Sequence, residues 1–95
     1  MKCELCGLES NDITFHHLIP RTLHKRYFGK YTREELNKGI DVDRECHFEI
    51  HRFHDNKHLA KELNTLEKLK NDEKIQGYVK WKIRKNTSQA KNIQR

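Results

Sequence analysis

Cys46-His47-Phe48-Glu49-Ile50-His51 carries two kinds of metal-binding donor in one short stretch. In a helix, His47 and His51 lie four residues apart and project from one face. Cys46 points about 100° away from His47 around the helix axis. One segment can then serve two sites, with a thiolate on one side and an imidazole pair on the other. A second cluster upstream answers it: Cys3-Glu4-Leu5-Cys6, then Phe15-His16-His17-Leu18-Ile19-Pro20.

The 95 residues are 34% hydrophobic and 36% charged, which predicts one small domain with a thin apolar core. Such cores are usually supplemented by disulfides, a metal or an oligomeric partner. Three cysteines, two of them in a C-x-x-C loop among seven histidines, fit a metal site in a reducing compartment better than a disulfide framework. The sequence has no apolar run of membrane-span length and no signal-type apolar segment after Met1, so a cytoplasmic address and no membrane partner are expected.

Net charge is +6, and its distribution is uneven. Residues 1–54 hold nine Lys/Arg and nine Asp/Glu, so the whole excess lies in residues 55–95. Beyond Glu73 come Lys74, Lys80, Lys82, Arg84, Lys85, Lys91 and Arg95, with no acidic residue. Nucleic acid is the leading candidate partner, and a solvated basic helix with a frayed tail is the plainer alternative.

Outward from the central stretch, Gly7 suits the positive φ that a C-x-x-C turn needs. Ile13-Thr14-Phe15-His16 is β-branched and aromatic, which predicts a strand, and Gly39-Ile40-Asp41-Val42 predicts a second. Thr32 followed three residues later by Glu35 is a capping box over a helical turn. A helix is expected from near Asp43 to Phe53, with Phe48, Ile50 and Phe53 as its apolar residues. Leu59, Leu63, Leu66 and Leu69 form the amphipathic stripe of a second helix, which ends at Asn71-Asp72. Ile75, Tyr78, Val79 and Ile83 stripe a third, flanked by Trp81. The expected organisation is α+β: a core over 1–54, a helical extension over 55–85 packed on it, and a basic flexible tail over 86–95.

Cys3 and Cys6 present two thiolates from one turn, as tetrahedral zinc requires, and Cys46 supplies a third. Asp43 stands three residues before Cys46 and is either the fourth ligand or the helix N-cap. His54 and a water molecule are the other candidates for the fourth position. His16 and His17 are consecutive on a strand and point to opposite sides, so one can bind a metal that His47 and His51 share. Three imidazoles leave an open coordination face, which is catalytic in type. The uncommitted histidine beside them is a natural general base.

In order along the chain, C-x-x-C, His-His-Leu-Ile-Pro and Cys-His-x-x-Ile-His resemble the HNH endonucleases, the ββα-metal nucleases. The chain is most similar to small standalone bacterial HNH proteins, by motif over about residues 3–54. The resemblance implies a ββα-metal core with a C-x-x-C zinc knuckle and two additional C-terminal helices. It implies that His16, His47 and His51 are metal ligands, and that His17 is the general base activating water. It assigns Cys3, Cys6, Cys46 and Asp43 to a structural Zn²⁺, with Asp43 where the family usually has cysteine. The middle Asn of the family falls nearest to Asn37, which would orient the base. The catalytic ion would be Zn²⁺, Ni²⁺, Mn²⁺ or Co²⁺, with Mg²⁺ also open. Arg21, Lys25, Arg26, Lys30 and Arg33 would contact the DNA backbone.

The implied activity is metal-dependent hydrolysis of DNA phosphodiester bonds by a monomer or homodimer. The alternative is a non-catalytic, zinc-stabilised nucleic-acid-binding module, which would need none of His16, His17 and His51.

Overall fold

Strand β1 (Ile13–His17) and strand β2 (Gly39–Asp43) form a two-stranded antiparallel sheet, with Ile13 opposite Asp43 and His17 opposite Gly39. Each strand is one residue longer than the sequence predicts. The computed structural model describes the backbone of residues 1–93 and the side chains of residues 1–86. Gly39 is demanded by closeness rather than by φ. A Cβ there would lie 2.4 Å from both the His16 carbonyl oxygen and the Phe15 ring.

Between the strands run a short 3-10 turn (Arg21–Leu23), α1 (His24–Tyr27) and α2 (Arg33–Leu36). The capping box on α2 is formed, with Thr32 and Glu35 each accepting the other's backbone N–H. Directly after β2 comes α3 (Arg44–Phe53), which packs against both strands. Cys46 and Ile50, four residues apart, are its fully buried stripe. Phe48, expected among its apolar residues, is instead 65% exposed. It falls about 200° around the helix from Cys46, outside the buried stripe.

The leucine stripe does not belong to one helix. It divides into α4 (Asn56–Glu62) and α5 (Leu66–Asn71), so three helices follow the core where two were expected, the last being α6 (Glu73–Ile93). Thr65 causes the break by accepting the Lys68 N–H at 3.1 Å, which starts a new helix. Leu59, Leu63 and Leu69 are buried nonetheless, joined with Ile40, Val42, Cys46, Ile50 and Ile75 in one core. Asp72 turns the chain from α5 into α6, accepting the Ile75 N–H at 3.1 Å and contacting His54 at 2.8 Å. Helix α6 continues into the stretch expected as a basic tail, 86–95, most of whose side chains lie outside the described residues.

The result is an α+β fold with a two-stranded sheet and C-terminal helices. Among the described residues, no helix is long and apolar enough to cross a membrane. Leu59 is wholly enclosed where α4 meets this core. Leu59→Ala is expected to cost about 2–5 kcal/mol in denaturant unfolding. A loss under about 1 kcal/mol would mean that the C-terminal helices do not share a core with the sheet.

Candidate metal centre

The N-terminal turn is built to present thiols. Gly7 takes φ +77°, and its N–H bonds the Cys3 carbonyl at 2.8 Å, closing the C-x-x-C loop. The loop is fastened to β2 by the Glu4 N–H on the Asp41 carbonyl (2.8 Å) and the Asp41 N–H on the Glu4 carboxylate (2.6 Å). This places Cys3 and Cys6 over the start of α3. Donor atoms of Cys3, Cys6, Asp43 and Cys46 all lie within 4.8 Å of one another, and all four residues are buried.

Asp43 is both the N-cap and a member of this cluster. One carboxylate oxygen accepts the Cys46 N–H at 2.7 Å, and the other faces the Cys6 thiol at 3.5 Å. His54 lies elsewhere, bonded to Asp72 and stacked on His58 at 4.7 Å between ring centres. It is therefore not the fourth donor.

Lys82, from α6, reaches the same oxygen of Asp43 at 2.5 Å and the Cys46 sulfur at 3.5 Å. Burial works against the Lys82 ammonium, but Asp43 and the thiols outweigh it and hold its pKa above the ordinary range. A hydrogen bond from Cys46 lowers Cys3 to about 5, making it a thiolate at neutral pH. That same bond, together with burial, keeps the proton on Cys46, and burial raises Cys6. Two buried anions, Cys3 and Asp43, thus face one ammonium. A divalent cation would supply the missing positive charge, and the four donors can hold one.

The other side of α3 carries the imidazoles. Ligand atoms of His16, His47 and His51 lie within 4.8 Å of one another, so this group can also hold a metal. The His16 ring is 5.2 Å from each of the other two. His16 is fully buried, and neither of its ring nitrogens has a hydrogen-bond partner. A buried polar atom without a partner costs about 1–3 kcal/mol. A cation bound to one of the two nitrogens removes the cost at that atom, so the donor set fits a metal.

His17 points away from this group. Its ring packs edge-on to Phe15 (4.9 Å) and to His24 (5.7 Å). It nevertheless shares an open cleft with His47, His51, Arg21 and Asn56. Burial, then the positive charge of His24 and Arg21, lowers its pKa. Of the five basic residues predicted to meet DNA, Arg21 lines the cleft, while Lys25, Arg26, Lys30 and Arg33 are exposed along the segment joining the strands. Asn37 is the exposed C-cap of α2, two residues before Gly39, the partner of His17 in the sheet.

Three residues near these sites were not anticipated from sequence. Lys82 is distant along the chain, and no local pattern marks it. Asn56 reaches the cleft from α4 and donates to the Thr22 hydroxyl at 3.1 Å. Thr14 contacts His47 Nδ1 at 2.8 Å, and its place two residues before His16 on a strand was the available signal.

Burial is the leading cause that lowers the pKa of His16, His47 and His51, taking His16 to about 3. Unfolded, each would take a proton near pH ~6.5. Below that value the unfolded chain binds more protons than the folded one, so stability is full above it and declines as pH falls. Cys3, lowered to about 5, acts in the same direction. The melting temperature of the metal-free chain is expected to drop between pH 7 and pH 5, with a shallower slope in His51→Gln. A flat profile would contradict the burial of neutral imidazoles.

No family model matches the chain, and no solved structure matches it. Among curated proteins, the uncharacterized protein YisB of Bacillus subtilis (strain 168) is 35% identical over 83 residues. The alignment spans 87% of this chain and 73% of YisB. It takes in most of the chain and so exceeds what either histidine or cysteine motif alone would give. The chain belongs to the same family as YisB.

Proposed function

We propose that this chain is a metal-dependent endonuclease of the HNH type that hydrolyses DNA phosphodiester bonds. The supporting observation is a buried His16, unpartnered at both nitrogens, grouped with His47 and His51 beside a cleft that His17 shares. A zinc-binding module held together by thiols alone would need no such imidazole group. The core, 1–54, would carry the ββα-metal arrangement, and the helical extension, 55–85, would brace it.

His17 acts as the general base. Its lowered pKa keeps the ring neutral at neutral pH, with a lone pair available to take a proton from water. Activity therefore holds at neutral pH and falls in acid, as His17 becomes protonated. Arg21, exposed at the same cleft, offers a guanidinium to a phosphate oxygen. Lys25, Arg26, Lys30 and Arg33 extend the positive track along which the backbone would lie, which positions a duplex without reading its sequence. Asn37, close to the Gly39 end of the sheet, would steady the loop behind His17.

His16, His47 and His51 would hold the catalytic ion, and a bound divalent ion supplies charge neutralisation at the scissile phosphate and the leaving 3′ oxygen. Three imidazoles suit Zn²⁺, Ni²⁺, Mn²⁺ or Co²⁺, and the open face also admits Mg²⁺. Cys3, Cys6, Asp43 and Cys46 would hold a structural Zn²⁺.

Supercoiled plasmid incubated with each divalent ion, with and without chelator, tests the activity. Nicked or linear product that disappears on chelation is expected. His17→Ala should lower the cleavage rate about 100- to 10,000-fold with an unchanged circular dichroism spectrum. Full activity in that variant would remove His17 from the mechanism. Salt-sensitive DNA binding without cleavage under any ion would favour the non-catalytic nucleic-acid-binding module instead.

A further inference from the structure

We propose that Thr14 sets which nitrogen of His47 can bind a metal, making it a positioning residue of the imidazole site. This rests on the metal-site reading above and assigns it an additional residue. Thr14 Oγ1 lies 3.0 Å from the Val42 carbonyl oxygen and 2.8 Å from His47 Nδ1. A hydroxyl has one proton to give. The Val42 carbonyl can only accept, so it takes that proton. The remaining contact must then be donated by His47 Nδ1–H to a lone pair on Thr14 Oγ1. His47 is thereby held in the Nδ1–H tautomer, with the Nε2 lone pair free.

The selection is needed because a neutral histidine in water prefers the opposite tautomer, with its proton on Nε2. That proton would have to leave before Nε2 could bind a metal. Thr14 removes the conflict in advance and also fixes the ring's rotation about its side-chain bonds. The placement follows from strand geometry. Thr14 and His16 are two residues apart on β1, and both face α3, where His47 lies. One strand therefore contributes a ligand and the group that orients the next ligand. Among the described residues, His51 has no such hydrogen-bond partner, and its ring packs against those of His16 and His47. His47 is thus the member of the group whose donor atom is decided by the protein.

Two substitutions separate the hydroxyl from the shape. Thr14→Val keeps a β-branched side chain suited to a strand and removes the hydroxyl, whereas Thr14→Ser keeps the hydroxyl. The full chain, carrying one equivalent of zinc for the thiol cluster, is titrated with Ni²⁺ by calorimetry. Thr14→Val is expected to lose about 10- to 100-fold in nickel affinity, and Thr14→Ser to stay within about threefold of the original. In the same samples before nickel is added, long-range ¹H–¹⁵N spectra read the proton on His47. They should find it on Nδ1 in the original chain and in Thr14→Ser, and on Nε2 in Thr14→Val.

Equal nickel affinity in Thr14→Val and the original chain would overturn the proposal, as would an Nε2 proton on His47 in the original chain. If the original chain binds no nickel at the imidazoles, the metal reading of that site fails. The His47 proton still decides the role of Thr14 in that case, so the two failures are distinguishable. Thermal melts of both variants establish that any loss is not one of folding.

Discussion

The contact on which the rest depends is the carboxylate of Asp43, which ends β2 and begins α3. One oxygen accepts the Cys46 N–H and so fixes the first turn of the helix. The other faces the Cys6 thiol and the Lys82 ammonium, tying the N-terminal loop and α6 to that same point. As a cap alone, Asp43 would contribute about 0.5–2 kcal/mol. Removing it would also take from Lys82, whose side chain is only 14% exposed, its nearest anion, leaving the Cys46 sulfur at 3.5 Å and Glu45 at 3.9 Å, and breaking a buried pair costs about 3–5 kcal/mol. The charge role therefore outweighs the capping role, and three parts of the chain meet at one residue.

Once Asp43 starts the helix, the remaining geometry follows from helical spacing. Cys46 and Ile50 face the core, while His47 and His51 lie on the adjacent stripe and meet His16 from β1. The two donor groups are chemically unlike. The thiol group is enclosed, already anionic and braced by a lysine. Such a group could hold a cation while leaving nothing else access to it. The imidazole group is graded, with His16 buried, His47 half-buried and His51 exposed at the cleft. That gradation leaves one side open to a ligand from solvent, which is the condition for chemistry rather than for scaffolding.

Features encoded by local spacing were legible in the sequence. The two strands, the helix carrying Cys46, the capping box at Thr32 and the positive φ at Gly7 all depend on residues close together in the chain. Both donor groups were legible for the same reason, since each uses a short motif at each end. The division of Leu59–Leu69 was not, because an apolar stripe continues across a break when both pieces pack on one core. The signal lay in Asn64-Thr65, polar residues that favour starting a helix over continuing one. Asp43 could be read as ligand or cap, and only the two directions of its oxygens reveal both. Lys82 was invisible because its partners lie far away in sequence. Phe48 was misassigned because apolar character alone does not give a helix face.

Helix α3 joins an enclosed donor group to an open one, and each could hold a cation. Anomalous diffraction from crystals grown with zinc and manganese, recorded at both metal edges, tests it most directly. Two peaks are expected, one among Cys3, Cys6, Asp43 and Cys46 and the other among His16, His47 and His51. A peak at the thiols with none at the imidazoles would contradict a two-cation α3, leaving His16 a buried histidine without a partner.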